Sequence, residues 1–128
     1  MPFDDVIADL IRLYQVQAGD PDARLREEDV QRWSASLGIA RSELYNRIAT
    51  YLAQGFNNST LPFEFCDAIV NDIHAAITFA DEDRPDLFWG VYLAFDEGEY
   101  YHGNNRDEDP VEVYTRPMIA RIVSNNSS

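Results

Sequence analysis

The sequence predicts an all-α domain, on three observations. Apolar residues recur at three- and four-residue spacing in every long segment, no segment alternates with the two-residue period of a strand, and Gly, Pro and Asn clusters divide the chain into helix-length pieces. A chain of 128 residues is large enough for one core without disulfide or metal staples. The expected architecture is a compact single-domain bundle of five to six helices over residues 1–123, packed around a buried central helix at about 85–101. Residues 1–56 form an N-terminal three-helix subdomain in this reading, and 124–128 a disordered polar tail.

The first helix is marked by Phe3, Val6, Ile7, Leu10, Ile11 and Tyr14, and Gly19-Asp20-Pro21 stops it. Glu27, Glu28 and Asp29 favour the start of a second helix through its dipole, with Val30, Trp33 and Leu37 as the inward stripe before Gly38. A third helix is expected from Arg41 to Gln54, burying Leu44, Ile48, Tyr51 and Leu52, and ended by Gly55 and Asn57-Asn58-Ser59. Ser59 or Thr60 with Pro62 reads as the cap and first turn of a fourth, whose stripe is Phe63, Cys66, Ile69, Val70, Ile73 and Ile77. Pro85 opens the fifth, apolar on both sides through Leu87, Phe88, Val91, Tyr92 and Phe95 and through Trp89, Leu93 and Tyr100. After a loop at 103–105, Asp109-Pro110 restarts helix with Val111, Tyr114, Met118 and Ile122, and Pro117 should kink or split it.

Charge is unevenly spread. Between Asp81 and Glu112 eleven acids meet only Arg84 and Arg106, a local −9 of the chain's −13, whereas residues 1–60 carry nine acids against six arginines, −3. A field of this sign repels nucleic acid and anionic membrane and attracts cations or basic proteins; the alternative is a solvated face that aids solubility. The single cysteine, Cys66, allows no intramolecular disulfide and no multi-cysteine zinc site, and its place on an apolar stripe marks a packing residue. Asp4, Asp5 and Asp9 replace the positive charge of a secretory signal and no run is long and apolar enough to span a bilayer, so a cytoplasmic protein without membrane contact is expected.

The segment from Trp33 through Gly38 to Ile48, within a helix–turn–helix frame at 27–54, resembles the helix-turn-helix of bacterial transcription regulators. The resemblance implies that Arg41, Ser42, Tyr45 and Asn46 face a major groove, with Arg47 and Arg32 near phosphates. Ala40 stands where serine or threonine would cap the second helix, and Glu27, Glu28, Asp29 and Glu43 offset the arginines, so nucleic acid is a disfavoured partner.

A second constellation lies further on. Glu99 and His102 have the Glu-x-x-His spacing that brings two side chains to one metal, provided the fifth helix continues past Gly98, and Asp67, Asn71 and His74 form a matching stripe on the fourth. The carboxylate-bridged di-iron bundles repeat such a pair, whereas here it occurs once. The alternative is a hydrogen-bonded polar network or a frayed helix end, and no other cofactor is indicated. No phosphate loop, nucleophile elbow or Cys–His pairing is present, so the chain reads as non-enzymatic.

The leading functional reading is an acidic helical protein that binds a basic protein partner. In size, charge and class it resembles bacterial immunity proteins that neutralise nuclease toxins. Its contacts would be Asp81, Glu82, Asp83, Asp86, Asp107, Glu108 and Asp109, flanking the fifth helix at both ends.

Overall fold

Helix α1 (Phe3–Gly19) opens a computed structural model that describes residues 2–103 and 106–126, and the described residues contain helix, turn and loop but no strand. Asp4 and Asp5 occupy the first turn of α1, where the helix dipole favours acids, and Val6, Ile7 and Leu10 are buried against α4. Ile11, expected on the same face, is 39% exposed. Helix α2 (Glu27–Leu37) buries Val30 and Trp33 and ends at Gly38, whose φ of 67° is the left-handed stop that glycine adopts without a Cβ penalty.

Helix α3 (Arg41–Asn57) runs three residues beyond the expected end at Gln54. Gly55 does not stop it, because glycine is needed there for space: a Cβ would fall 2.3 Å from Leu61 Cδ1, as the following loop folds back over the helix. That loop also corrects the expected role of Ser59 and Thr60. They do not cap the next helix; the Thr60 amide and hydroxyl both donate to the Gly55 carbonyl, at 2.8 and 3.2 Å, and close the C-terminus of α3. Pro62 precedes helix α4 (Phe63–Phe79), with Phe65, Cys66, Ile69, Val70, Ile73, Ala76 and Ile77 buried.

Helix α5 (Asp86–Glu97) is the central element, packed against α3, α4, α6 and the π turn below, with Phe88, Val91, Ala94 and Phe95 wholly buried. It stops at Gly98, four residues short of the expected end at about 101. The glycine is again a matter of space, since its φ is −83° and a Cβ would lie 2.4 Å from Thr115 Oγ1 and 2.9 Å from Phe63 Cε2. The loop at 104–105 lies outside the described residues.

The last helical segment is split, as Pro117 suggested. A π-helical turn (Val111–Thr115) leads into α6 (Arg116–Asn126), and the Arg116 amide bonds the Val111 carbonyl five residues back. The wider turn sits just where the proline ring would crowd the carbonyl four residues earlier. One extra residue in the turn rotates the inward face, so Thr115 and Ile119 are fully buried while Val111, Tyr114, Met118 and Ile122 are only half-buried. Residues 124–126, read as disordered tail, belong to α6, and 127–128 lie outside the described residues. Buried residues from every helix join one hydrophobic core, in which Tyr14 meets Phe65 and Phe56 meets Phe95 edge to face.

Candidate functional site

The carboxylates expected to meet a partner flank α5 in sequence, Asp81 to Asp86 at its start and Asp107 to Asp109 in the segment between its end and the π turn. At its N-terminal end Asp81, Asp83 and Asp86 are exposed on the α4–α5 turn, and Asp81 takes a left-handed φ of 55°, which aspartate tolerates better than most residues. Beyond its C-terminal end Asp107, Glu108 and Asp109 are exposed, and Asp109 Oδ1 accepts the Val111 amide at 3.0 Å at the mouth of the π turn. Asp81, Asp83, Asp86 and Glu108 make no ion pair among the described residues. Five of the ten arginines, by contrast, are paired with other acids: Arg12 and Arg32 with Asp9, Arg41 with Glu27, Arg47 with Glu43, and Arg116 with Glu112. Arg84 and Arg106 lie over the Trp89 and Tyr101 rings, at 4.1 and 4.8 Å.

Glu82 departs from this group. It turns inward, accepting the Tyr45 hydroxyl at 2.6 Å, and its other oxygen lies 3.1 Å from Arg41 Nε. Arg41 is held in turn by Glu27, and these contacts raise its affinity for the proton, the Glu27 hydrogen bond most of all. Tyr45 is 1% exposed, and burial pushes its phenol above the ordinary range, with Glu82 adding to the effect.

This network removes most of the surface that the helix-turn-helix resemblance implies. Tyr45 is core, Arg41 is bound to two glutamates, and Arg47 pairs with Glu43. Asn46 points at α5 and accepts the Phe88 amide at 3.1 Å, leaving Ser42 as the exposed residue of the five without such a tie. Periodicity gave no warning, because Tyr45 and Asn46 each reach partners about forty residues away.

Helices α4 and α5 share a polar and aromatic seam. Asn71 Nδ2 donates to the Asp67 carbonyl at 2.8 Å and to Glu99 Oε2 at 3.1 Å, so Asp67, Asn71 and Glu99 do come together. Burial pushes the Asp67 carboxyl up to about 8, with help from a hydrogen bond to Glu99 and from the charges of Glu99 and Asp96. Asp67 therefore keeps its proton at neutral pH. His74 stacks on Tyr92 with ring centres 4.4 Å apart, and Tyr92 on Trp89 at 5.1 Å, so Arg84, Trp89, Tyr92 and His74 form a continuous slab. Burial and the Arg84 charge hold His74 below the usual imidazole range. Asp67 Oδ1 and His74 Nε2 are buried without a hydrogen-bond partner among the described residues.

His102 is not part of this seam. Because α5 ends at Glu97, the Glu-x-x-His pair never shares a helical face. His102 Nε2 lies 2.9 Å from the Glu97 carbonyl and 3.1 Å from Glu97 Oε2, and the ring packs between Tyr100 and Tyr114. No group of three or more His, Cys, Asp or Glu residues among those described is arranged to hold a metal ion. The spacing argument failed on its condition, the continuation of the helix past Gly98.

Comparison with protein-family models, with curated proteins and with solved structures finds no match to this chain. No described helix is long and apolar enough to cross a membrane. The fold is an all-α bundle, with exposed acidic side chains before the start of its central helix and in the segment that follows its end.

Proposed function

We propose that the protein is a non-enzymatic acidic binding protein that recognises a basic protein partner through the carboxylates flanking α5. One observation carries the reading: Asp81, Asp83, Asp86 and Glu108 are exposed and make no ion pair among the described residues, while five of the chain's ten arginines pair with other acids. Charge left unsatisfied within a chain of net −13 is available to a complementary surface. Asp107 and Asp109 extend the same field in the segment that follows α5, whereas Glu82 supports it from inside by fixing the turn to α3. Inhibition of a nuclease fits this chemistry best, because a cleft built for phosphates accepts a row of carboxylates in their place, as in toxin–immunity pairs.

Immobilised protein should retain partners of high isoelectric point from an extract of its own cells, and moderate salt should release them, because rim charges act through a screened field. The combined Asp81→Asn, Asp83→Asn and Asp86→Asn variant keeps the turn geometry, since asparagine also tolerates a left-handed φ, and should retain markedly less. Retention indifferent to both salt and these substitutions would refute the reading.

A further inference from the structure

We propose that a second face of the molecule, the groove between the α2 N-terminus and α4, is a self-association surface that pairs two copies of this chain about a two-fold axis. The groove, about 430 Å³, has Leu25, Ala75, Ala76 and Phe79 as its apolar lining. Phe79 is 85% exposed, far more than any other large apolar side chain among the described residues. A single exposed apolar residue needs no explanation, but a phenyl knob at the lip of an apolar hole is self-complementary: a two-fold operation seats each knob in the other copy's hole, and the contact closes at two.

Charge identifies the occupant as a second copy. On a chain of net −13 most surfaces repel their own kind, and a basic partner belongs at the unpaired carboxylates around α5. This groove is different. Arg24 and Arg26 line it with Glu28 and Asp72, and its remaining acid, Glu27, pairs with Arg41, which it shares with Glu82. The local charge is thus close to balanced. Arg26 and Glu28 are both exposed and neither makes an ion pair among the described residues, so the rim offers both signs, as a surface meeting itself requires. Asp81, Asp83 and Asp86 do not line the groove.

Sedimentation equilibrium of the full chain tests this from about 10 μM to about 1 mM, the range in which a small interface dissociates. The mass should rise from 14.7 kDa toward twice that value and no further. Phe79→Ser, which removes the knob, and Ala75→Arg, which fills the hole, should each weaken association about tenfold or more. Ile11→Ser, at another exposed apolar residue outside the groove, should leave it unchanged. Both Phe79 and Ala75 are exposed, so the variants should retain the helical circular dichroism of the parent. A monomer at every concentration, growth beyond a dimer, or equal weakening by Ile11→Ser would overturn the proposal. None of these results depends on whether a basic partner is found.

Discussion

Asn46 of α3 caps α5: its Oδ1 accepts the Phe88 amide at 3.1 Å across 42 positions of sequence. Pro85, at the N-cap of α5, has no side-chain acceptor, so the first turn of the central helix takes its cap from a neighbouring helix. Asn46→Ala should lower stability by about 1 kcal/mol in denaturant unfolding, and Asn46→Asp, which keeps an acceptor, should recover most of it. A role for Asn46 in reading DNA would instead appear as a loss of binding with unchanged stability.

Tyr45 gives a second test of the same surface. Tyr45→Phe removes a hydroxyl that donates to Glu82 and accepts from Arg41, so a cost of about 1 to 3 kcal/mol is expected. Ser42→Ala, one turn earlier and exposed, should fall within about 0.5 kcal/mol of the parent.

The close approach at Gly98 should tolerate no side chain. Gly98→Ala would drive a methyl into Thr115 Oγ1 and the Phe63 ring and is expected to cost about 1 to 3 kcal/mol. Thr115→Val removes the buried hydrogen bond to the Ala94 carbonyl, 2.7 Å long, at nearly constant shape, with an expected loss of about 0.5 to 1.5 kcal/mol. Thermal unfolding of the two variants and of their double mutant would also show whether the sites couple, as contact predicts.

The Asp67 carboxyl makes stability depend on pH with a definite sign. Its folded value, about 8, lies above its ordinary value of 3.8, so the folded state holds the proton more tightly than the unfolded chain. This contribution is fully present below about pH 3.8 and is lost as pH rises through about 8. Asp96, raised by burial and by Glu99 and Glu97, acts in the same direction. Asp9 acts in the opposite one: the Trp33 indole, donating at 2.9 Å, and the nearby arginines lower it, so its stabilisation is lost as pH falls. Asp67→Asn should be more stable relative to the parent at pH 8.5 than at pH 5, as read from urea midpoints; equal differences at the two values would contradict the assignment.

What the sequence determined by itself is the set of helices. Residue spacing follows from the helix's own 3.6-residue period, so the inward stripes of α2, α4 and α5 were legible, as were the stop at Gly38 and the split before Pro117. The uneven charge was legible too, because it is a property of composition. Only the tertiary structure decided where those helices end and which polar groups meet. Gly55 and Gly98 look alike as stop signals, yet α3 runs through the first and α5 ends at the second; both are fixed by what packs over them, Leu61 in one case and Thr115 with Phe63 in the other. The same holds for the sites. Glu99 meets Asn71 and Asp67 rather than His102, and Tyr45 and Asn46 turn inward, because their partners arrive from another helix. Periodicity reports which face of a helix is apolar, but the partner of a buried polar atom is set by how two helices cross, and that depends on the packing of the whole core.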